Sequence, residues 1–394
     1  MIRNITSSIR FIGVDDPDLD LFESQYVVPE GMSYNSYLIL DEKVAILDTA
    51  DGRKGDAWKA NLDEALEGRT PDYLVVHHME PDHSSLVAEM LAKYPSMTLV
   101  ATAAALKMLP QFFEGIDLEG RTLPVKEGDT LCLGNHTLRF MMAPMVHWPE
   151  VMVSYDSTDK LLFSADAFGR FGAMEKIAFW SSDDDDWACE ARRYYFNICG
   201  KYGVQVQNLL KKVTACDVAM ICPLHGPILN ENLSHYLDLY QTWSSYGVET
   251  EGIFVAYASI HGGTAAAAEH FAEMLRKKGC PKVATADITR DDLAECVEDA
   301  FRYGKMVLAA SSYDAGVFTP MHDFLYRLQA KGYQKRTVGL IENGSWAPSA
   351  GRVMKEMLGA MKEITLVEPM VTIRSRMHTG DIPAFEALAD AMLK

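Results

Sequence analysis

Residues 252–394 alternate short apolar runs with longer amphipathic stretches five times over. GIFVAYAS is followed by TAAAAEHFAEMLRKKG, KVATADI by DDLAECVEDAFRYG, KMVLAASS by PMHDFLYRLQAKG, RTVGLIEN by SAGRVMKEMLG, and ITLVEPMVTI by DIPAFEALADAML. A strand followed by a helix five times in succession leaves one economical packing: a doubly wound, five-stranded parallel sheet with helices on both faces. The preceding residues follow a different pattern. Short strands come in two batches, with helices expected over residues 56–67, 84–94, 103–113 and 187–212, which predicts an α/β sandwich of two sheets in αββα layers. A chain of 394 residues is too long for one ordinary core. We therefore expect domains at 1–249 and 250–394, joined by the polar stretch GVETEG at 247–252.

The first domain is organised around YLVVHHMEPDHSSL at residues 73–86. Its apolar start reads as a buried strand that stops at four metal-capable side chains within six residues. On an extended segment alternate residues share a face, so His78, Glu80 and Asp82 are expected to face one pocket, with His83 entering from the first turn of the next helix. By the same alternation His77 points away. Three further candidates stand where an apolar strand runs out: His147 after MMAPMV, Asp166 after LLFSA and His225 after VAMICPL. Neighbouring strands would bring all seven to one edge, and seven donors suit two metal ions that share a carboxylate. A lone histidine at a strand end is usually structural; four such ends around a clustered motif are not explained that way. His136, His235, His261, His270, His322 and His378 lack a comparable setting as metal ligands.

Composition excludes several function classes. The formal net charge of −18 falls almost wholly on the first 250 residues, which disfavours nucleic acid or an anionic membrane as partner. The acidic run at 183–186 reads as a solvated loop. No apolar run approaches the ~18–20 residues needed to cross a bilayer, and the N-terminus lacks the apolar segment of a signal peptide, so a cytoplasmic location is expected. The seven cysteines form no C-x-x-C pair and read as reduced and structural. Cys222, three residues before His225, is expected to be a buried strand-end residue.

In an open parallel sheet, ligands bind beyond the carboxyl ends of the strands. Three loops stand there. Ser259-Ile260-His261-Gly262-Gly263-Thr264 combines glycines with a helix N-terminus, the makings of a phosphate cradle. Ser311-Ser312-Tyr313-Asp314-Ala315-Gly316 and Asn343-Gly344-Ser345-Trp346-Ala347 add Tyr313 and Trp346, which suit a flat ring.

The pattern H-x-E-x-D-H at 78–83, with His147, Asp166 and His225 after it, resembles the metallo-β-lactamase-like domain of flavodiiron proteins. The hydrolases of that superfamily carry H-x-H-x-D-H, and Glu80 stands here in place of the second histidine. Carboxylate oxygen in place of imidazole favours a site that must stabilise ferric iron, whereas hydrolytic zinc sites lean on histidine. IENGSWAP and YASIHGGT likewise resemble the flavodoxin-like half of the same family. The first loop departs from the flavodoxin T-x-T-G-x-T by carrying Ser259 and a second glycine, Gly263. The resemblance covers essentially the whole chain, and no further domain after residue 394 is expected, as in the simplest members.

The resemblance implies FMN in the second domain and two non-haem irons in the first. One iron would be held by His78, Glu80 and His147 and the other by Asp82, His83 and His225, with Asp166 bridging. It further implies electron delivery by a carrier such as rubredoxin, reduction of dioxygen to water or of nitric oxide to nitrous oxide, and a head-to-tail homodimer or a dimer of such dimers. Asp48 and Trp148 are candidates to orient ligands, and Tyr194 or Tyr195 to line the pocket. The competing function is a dizinc hydrolase with an accessory flavodoxin-like domain; a third possibility is an electron-transfer protein with a structural metal half.

Overall fold

The computed structural model describes residues 2–394. The chain divides into two compact units, one of Met1–Tyr195 with Val204–Gln241 and the other of Phe196–Gly203 with Thr242–Lys394.

In the first unit a seven-stranded sheet runs in the order Arg3–Asn4, Ile9–Phe11, Tyr37–Leu40, Val44–Leu47, Tyr73–Val75, Thr98–Thr102, Thr122–Val125. A five-stranded sheet contains Thr130–Cys132, Thr137–Met142, Met152–Asp156, Leu161–Phe163 and Met220–Cys222, in that order. The core lies between them. Ile39, Leu47, Val75 and Val100 of one sheet pack in the same apolar cluster as Leu138, Phe140, Met152 and Phe163 of the other. Alternate residues of the larger sheet, Leu38, Ile46, Leu74 and Leu99, are buried as well. Its second face is therefore also covered, and helix Gly55–Ala65 buries Trp58, Leu62 and Ala65. These are the αββα layers that the two batches of strands predict.

In the second unit the strands Thr250–Ala258, Val283–Asp287, Tyr303–Tyr313, Gln334–Asn343 and Lys362–Leu366 pair in parallel. The second in sequence lies at one edge, and the first, third, fourth and fifth follow, which is the flavodoxin-like order. Ile253, Val255, Val307 and Ile341 pack with Phe271 and Leu275 of helix Gly263–Lys277 and with Phe385 and Leu388 of helix Ile382–Leu393. Close packing needs a bare backbone at Gly339, where a Cβ would come within 2.9 Å of the Met392 sulfur and 3.2 Å of Leu388.

Several local expectations are corrected. The expected linker is shorter, because Thr250, Glu251 and Gly252 already belong to the first strand of the parallel sheet. The helix expected over 187–212 is broken into Trp187–Ile198, a 3-10 turn at Gly200–Tyr202 and Gly203–Val213. Phe196 and its neighbours pack in the second unit, where its ring stacks on Phe301 at 4.2 Å. ITLVEPMVTI is two strands, Lys362–Leu366 and Val371–Ile373, because Pro369 has no amide hydrogen for a ladder. The acidic run is not uniformly solvated: the Asp184 side chain is 8% exposed and pairs with the buried Arg170 guanidinium. Residues 3–27 hold five short strands that carry too few residues for a readable period.

Candidate metal centre and cofactor cleft

The motif strand ends at Val75, and a four-residue helix, Pro81–Ser84, starts with proline at its first position. Asp82 therefore sits on that helix and not on an extension of the strand, and it is the turn through Met79 and Glu80 that aims the cluster. Local hydrogen bonds fix this turn. Ser84 Oγ donates to the Met79 carbonyl at 2.8 Å, and the His83 carbonyl accepts from Thr49 Oγ1 at 2.7 Å. His77 points away as expected: it is 1% exposed and lies 2.6 Å from Asp48 and 2.7 Å from Ser154. Asp48 is thus a partner of His77, not of a cluster histidine, which corrects its expected role.

All seven candidate donors meet in two groups, His78, Glu80, His147 and Asp166 in one and Asp82, His83 and His225 in the other. Asp166 faces both. Its Oδ2 lies 3.0 Å from His147 Nε2 and 3.4 Å from His78 Nε2, while its Oδ1 lies 3.3 Å from His83 Nε2 and 3.7 Å from His225 Nε2. Glu80 Oε2 is 3.0 Å from His147 and 3.2 Å from His78, and Asp82 Oδ2 is 3.3 Å from both His83 and His225.

These residues fit metal ions on two grounds. Donors about 2.0–2.2 Å from one ion stand about 2.8–3.6 Å apart at neighbouring vertices of an octahedron or tetrahedron, which is the spacing found. Both oxygens of Asp82 and of Asp166 are also buried with no well-aligned hydrogen-bond partner among the described residues. Proximity to imidazole nitrogen without hydrogen-bond geometry is what co-ligands of an ion present. The buried carboxylates of Asp82 and Asp166 and the half-buried one of Glu80 pair with no lysine or arginine among the described residues, so the centre calls for cations.

The hydrogen bonds around the donors set their tautomers. His225 Nδ1 lies 2.7 Å from the Ser33 carbonyl oxygen, an acceptor only, so Nδ1 carries the hydrogen and Nε2 turns its lone pair inward. Ser33 and Asn35 also hold the His225 loop, accepting from the Gly226 amide and donating to the Pro223 carbonyl. His78 Nδ1 lies 2.8 Å from Glu150 Oε1. The sequence reading missed Glu150 and Ser33, because neither a carboxylate three residues past His147 nor a backbone carbonyl has a distinguishing pattern. The Trp148 ring stands edge-on to His78 at 5.2 Å, and Tyr194, Phe22 and Tyr34 approach the His225 ring at 5.7, 5.4 and 6.0 Å. Tyr195 instead packs against Tyr240 at 5.2 Å. Cys222 is 1% exposed, and burial pushes its thiol well up.

Charge organises the same site. Burial lowers the basicity of His78, yet the Asp166 charge and the Glu150 and Glu80 hydrogen bonds outweigh it and hold His78 well above its ordinary value. His147 resists burial in the same way, through Asp166 and Glu80, and is pushed up to about 9. Burial opposes ionisation of Glu80 and Asp166, but the facing imidazoles hold both well below the usual carboxylate range. Protons thus stand where ions would bind, and a metal must displace them from imidazolium. Below about pH 9, loading a metal-free preparation is therefore expected to release protons, and metal affinity should rise from pH 7 to pH 9. Indicator-dye proton counting and competitive chelation at the two pH values check this.

The second unit carries a cleft of about 730 Å3 at the carboxyl ends of its parallel strands, within the range of small-molecule sites. Ser259, Ile260, His261, Gly263 and Thr264 line it with Ser311, Ser312, Tyr313, Asp314 and Ala315 and with Asn343, Gly344, Ser345, Trp346 and Ala347. Two expected residues do not. Gly262 caps helix Gly263–Lys277 in the left-handed conformation (φ 82°), and the Gly316 carbonyl accepts from Ser349 Oγ at 2.7 Å. Pro348, Ser349, Ser375 and Arg376 line the cleft without having been singled out from sequence. Trp346 is 88% exposed and Tyr313 48%, so both rings are available to a planar group. At Gly263 a Cβ would lie 2.2 Å from the Ser375 carbonyl oxygen. Gly263→Ala is expected to displace the helix N-terminus and to weaken binding of the flavin expected from sequence roughly tenfold or more, measured by fluorescence titration with FMN.

A family model described as "ODP family beta lactamase" matches residues 32–226. Among curated relatives, an uncharacterised protein of Methanocaldococcus jannaschii is 30% identical over 279 residues, covering 71% of this chain and 70% of the relative. The anaerobic nitric oxide reductase flavorubredoxin of Vibrio vulnificus is 29% identical over 326 residues, covering 81% and 65%. A putative diflavin flavoprotein of Thermosynechococcus vestitus is 30% identical over 346 residues, which are 86% of this chain; the chain spans 58% of that relative's length. Among solved structures, rubredoxin oxygen:oxidoreductase from Desulfovibrio gigas superposes with a TM-score of 0.93 over 100% of this chain and 98% of that one, at 23% identity, a likeness of fold. With the metallo-β-lactamase-like sandwich, the flavodoxin-like sheet and these relatives in agreement, the chain belongs to the flavodiiron protein family.

Proposed function

We propose that this chain is a flavodiiron reductase, with a diiron domain at 1–249 and an FMN domain at 250–394, that passes electrons from a carrier such as rubredoxin to dioxygen or nitric oxide. The supporting observation is the double-facing Asp166 carboxylate, with one oxygen toward His78 and His147 and the other toward His83 and His225. Such a carboxylate suits a pair of ions, and the oxygen of Glu80 suits iron over hydrolytic zinc.

When bound, FMN supplies one-electron transfer from a carrier, and two irons supply redox storage for a small substrate. His78, Glu80 and His147 would hold one iron, Asp82, His83 and His225 the other, with Asp166 shared. The chain's own residues position and enclose. Glu150 and the Ser33 carbonyl orient two of the imidazoles. Phe22, Tyr34, Tyr194 and Trp148 wall the centre with aromatic surface, which limits water and admits small neutral molecules. The loops at 259–264, 311–316 and 343–347 would hold the flavin, the helix N-terminus at Gly263 receiving its phosphate.

The proposal includes a head-to-tail homodimer or a dimer of dimers, so that one subunit's flavin serves the other's irons, and a cytoplasmic location. No helix among the described residues is long and apolar enough to cross a membrane. The similarity to a nitric oxide reductase flavorubredoxin and the likeness to an oxygen oxidoreductase support both gases as substrates.

Asp166→Asn is expected to lower dioxygen and nitric oxide reduction by at least about a hundredfold while leaving flavin reduction by the carrier intact. The decisive measurements are stopped-flow flavin absorbance beside gas consumption, with iron analysis of anaerobically purified protein. Zinc without iron, with ester hydrolysis and no gas uptake, would replace the reductase by a hydrolase; undiminished gas uptake by the variant would remove Asp166 from the centre.

A further inference from the structure

Donor for donor, the two halves of the centre are alike: each has two imidazoles, one carboxylate of its own and one oxygen of Asp166. The difference lies one layer out. Glu150 is 2% exposed, and its Oε1 lies 2.8 Å from His78 Nδ1 while also accepting from the Met79 amide at 2.9 Å. No lysine or arginine pairs with Glu150 among the described residues, and its Oε2 is buried without a hydrogen-bond partner. A full negative charge is therefore directed along the His78 ring. On the other side His225 Nδ1 meets only a backbone carbonyl, that of Ser33 at 2.7 Å, and His83 Nδ1 is buried with no hydrogen-bond partner among the described residues. His147, at 9% exposed, meets Glu80 and Asp166 through Nε2 and has no carboxylate behind its ring among the described residues.

A carboxylate on the far nitrogen of a ligating imidazole raises that ligand's basicity, and removing such a partner typically weakens metal binding 10–100-fold. A carbonyl dipole does the same more weakly. We propose that Glu150 makes the two metal positions unequal, so that the position formed by His78, Glu80 and His147 holds its ion more tightly than the one formed by Asp82, His83 and His225. Glu150 is in this sense a positioning residue that also biases affinity. The inference rests on the reading that the cluster holds two ions, and it is independent of which metal they are.

The test is release of metal from the anaerobically loaded full chain to a competing chelator, followed by chelate absorbance. Wild type is expected to release its ions in two phases, one per position, with affinities separated by roughly 10–100-fold. Glu150→Gln retains an oxygen that can accept from both His78 and Met79 and removes only the charge; it should bring the tight phase toward the weak one and leave the weak phase in place. Glu150→Asp, which keeps the charge, should retain two phases. His225→Ala should remove the weak phase alone, which assigns it. Two ions released in a single wild-type phase would overturn the inference, as would unchanged phases in Glu150→Gln or a shift of the weak phase instead. A chain that binds no metal at all would instead remove the two-ion reading on which the inference stands.

Discussion

Three carboxylates, two of them buried and one half-buried, facing four imidazoles are the constraint that the first unit is built to satisfy. Glu80, Asp82 and Asp166 approach the histidines at 3.0–3.7 Å, and in the absence of cations such a cluster would be among the more expensive things to place inside a protein. The surrounding structure resists its relaxation. Two sheets packed face to face fix where the strands end, and hydrogen bonds from Thr49, Ser84 and Asn35 fix the turns beyond them. The seven side chains therefore remain opposed, and imidazolium facing carboxylate offsets part of the cost of burying them.

The second unit solves a different problem with the same economy. A parallel sheet buried on both faces concentrates its loops at one edge, and there the chain places glycines where backbone must approach backbone. Gly263 has no room for a side chain beside Ser375, and Gly339 has none beneath Met392. The exposed rings of Tyr313 and Trp346 lie on those same loops. Buried framework and exposed rim are separated along each strand.

Much of this was legible in sequence because it rests on period and position. The five strand and helix pairs and the seven strand-end donors each leave a mark in residue order. Where the sequence reading went astray, the cause lay in contacts. Asp82 was assigned to an extended segment because period two ignores Pro81, which starts a helix there. Asp48 was offered as a partner for a ligand, but pairing of the strands beside it delivers His77 instead. Glu150 and the Ser33 carbonyl act on histidines 72 and 192 residues away in sequence, and no local pattern reports such a meeting. The short strands of residues 3–27 failed for want of length, and Asp184 looked solvated only because Arg170 lies elsewhere in the chain.

The Ser33 contact to His225 carries a further implication. A backbone carbonyl is supplied by any amino acid, so that contact survives substitutions at position 33 that leave both the main chain and the Gly226 loop in place. The Glu150 contact depends on one codon. Drift in sequence can therefore retune one half of the centre through a single residue while the other half stays as the fold dictates.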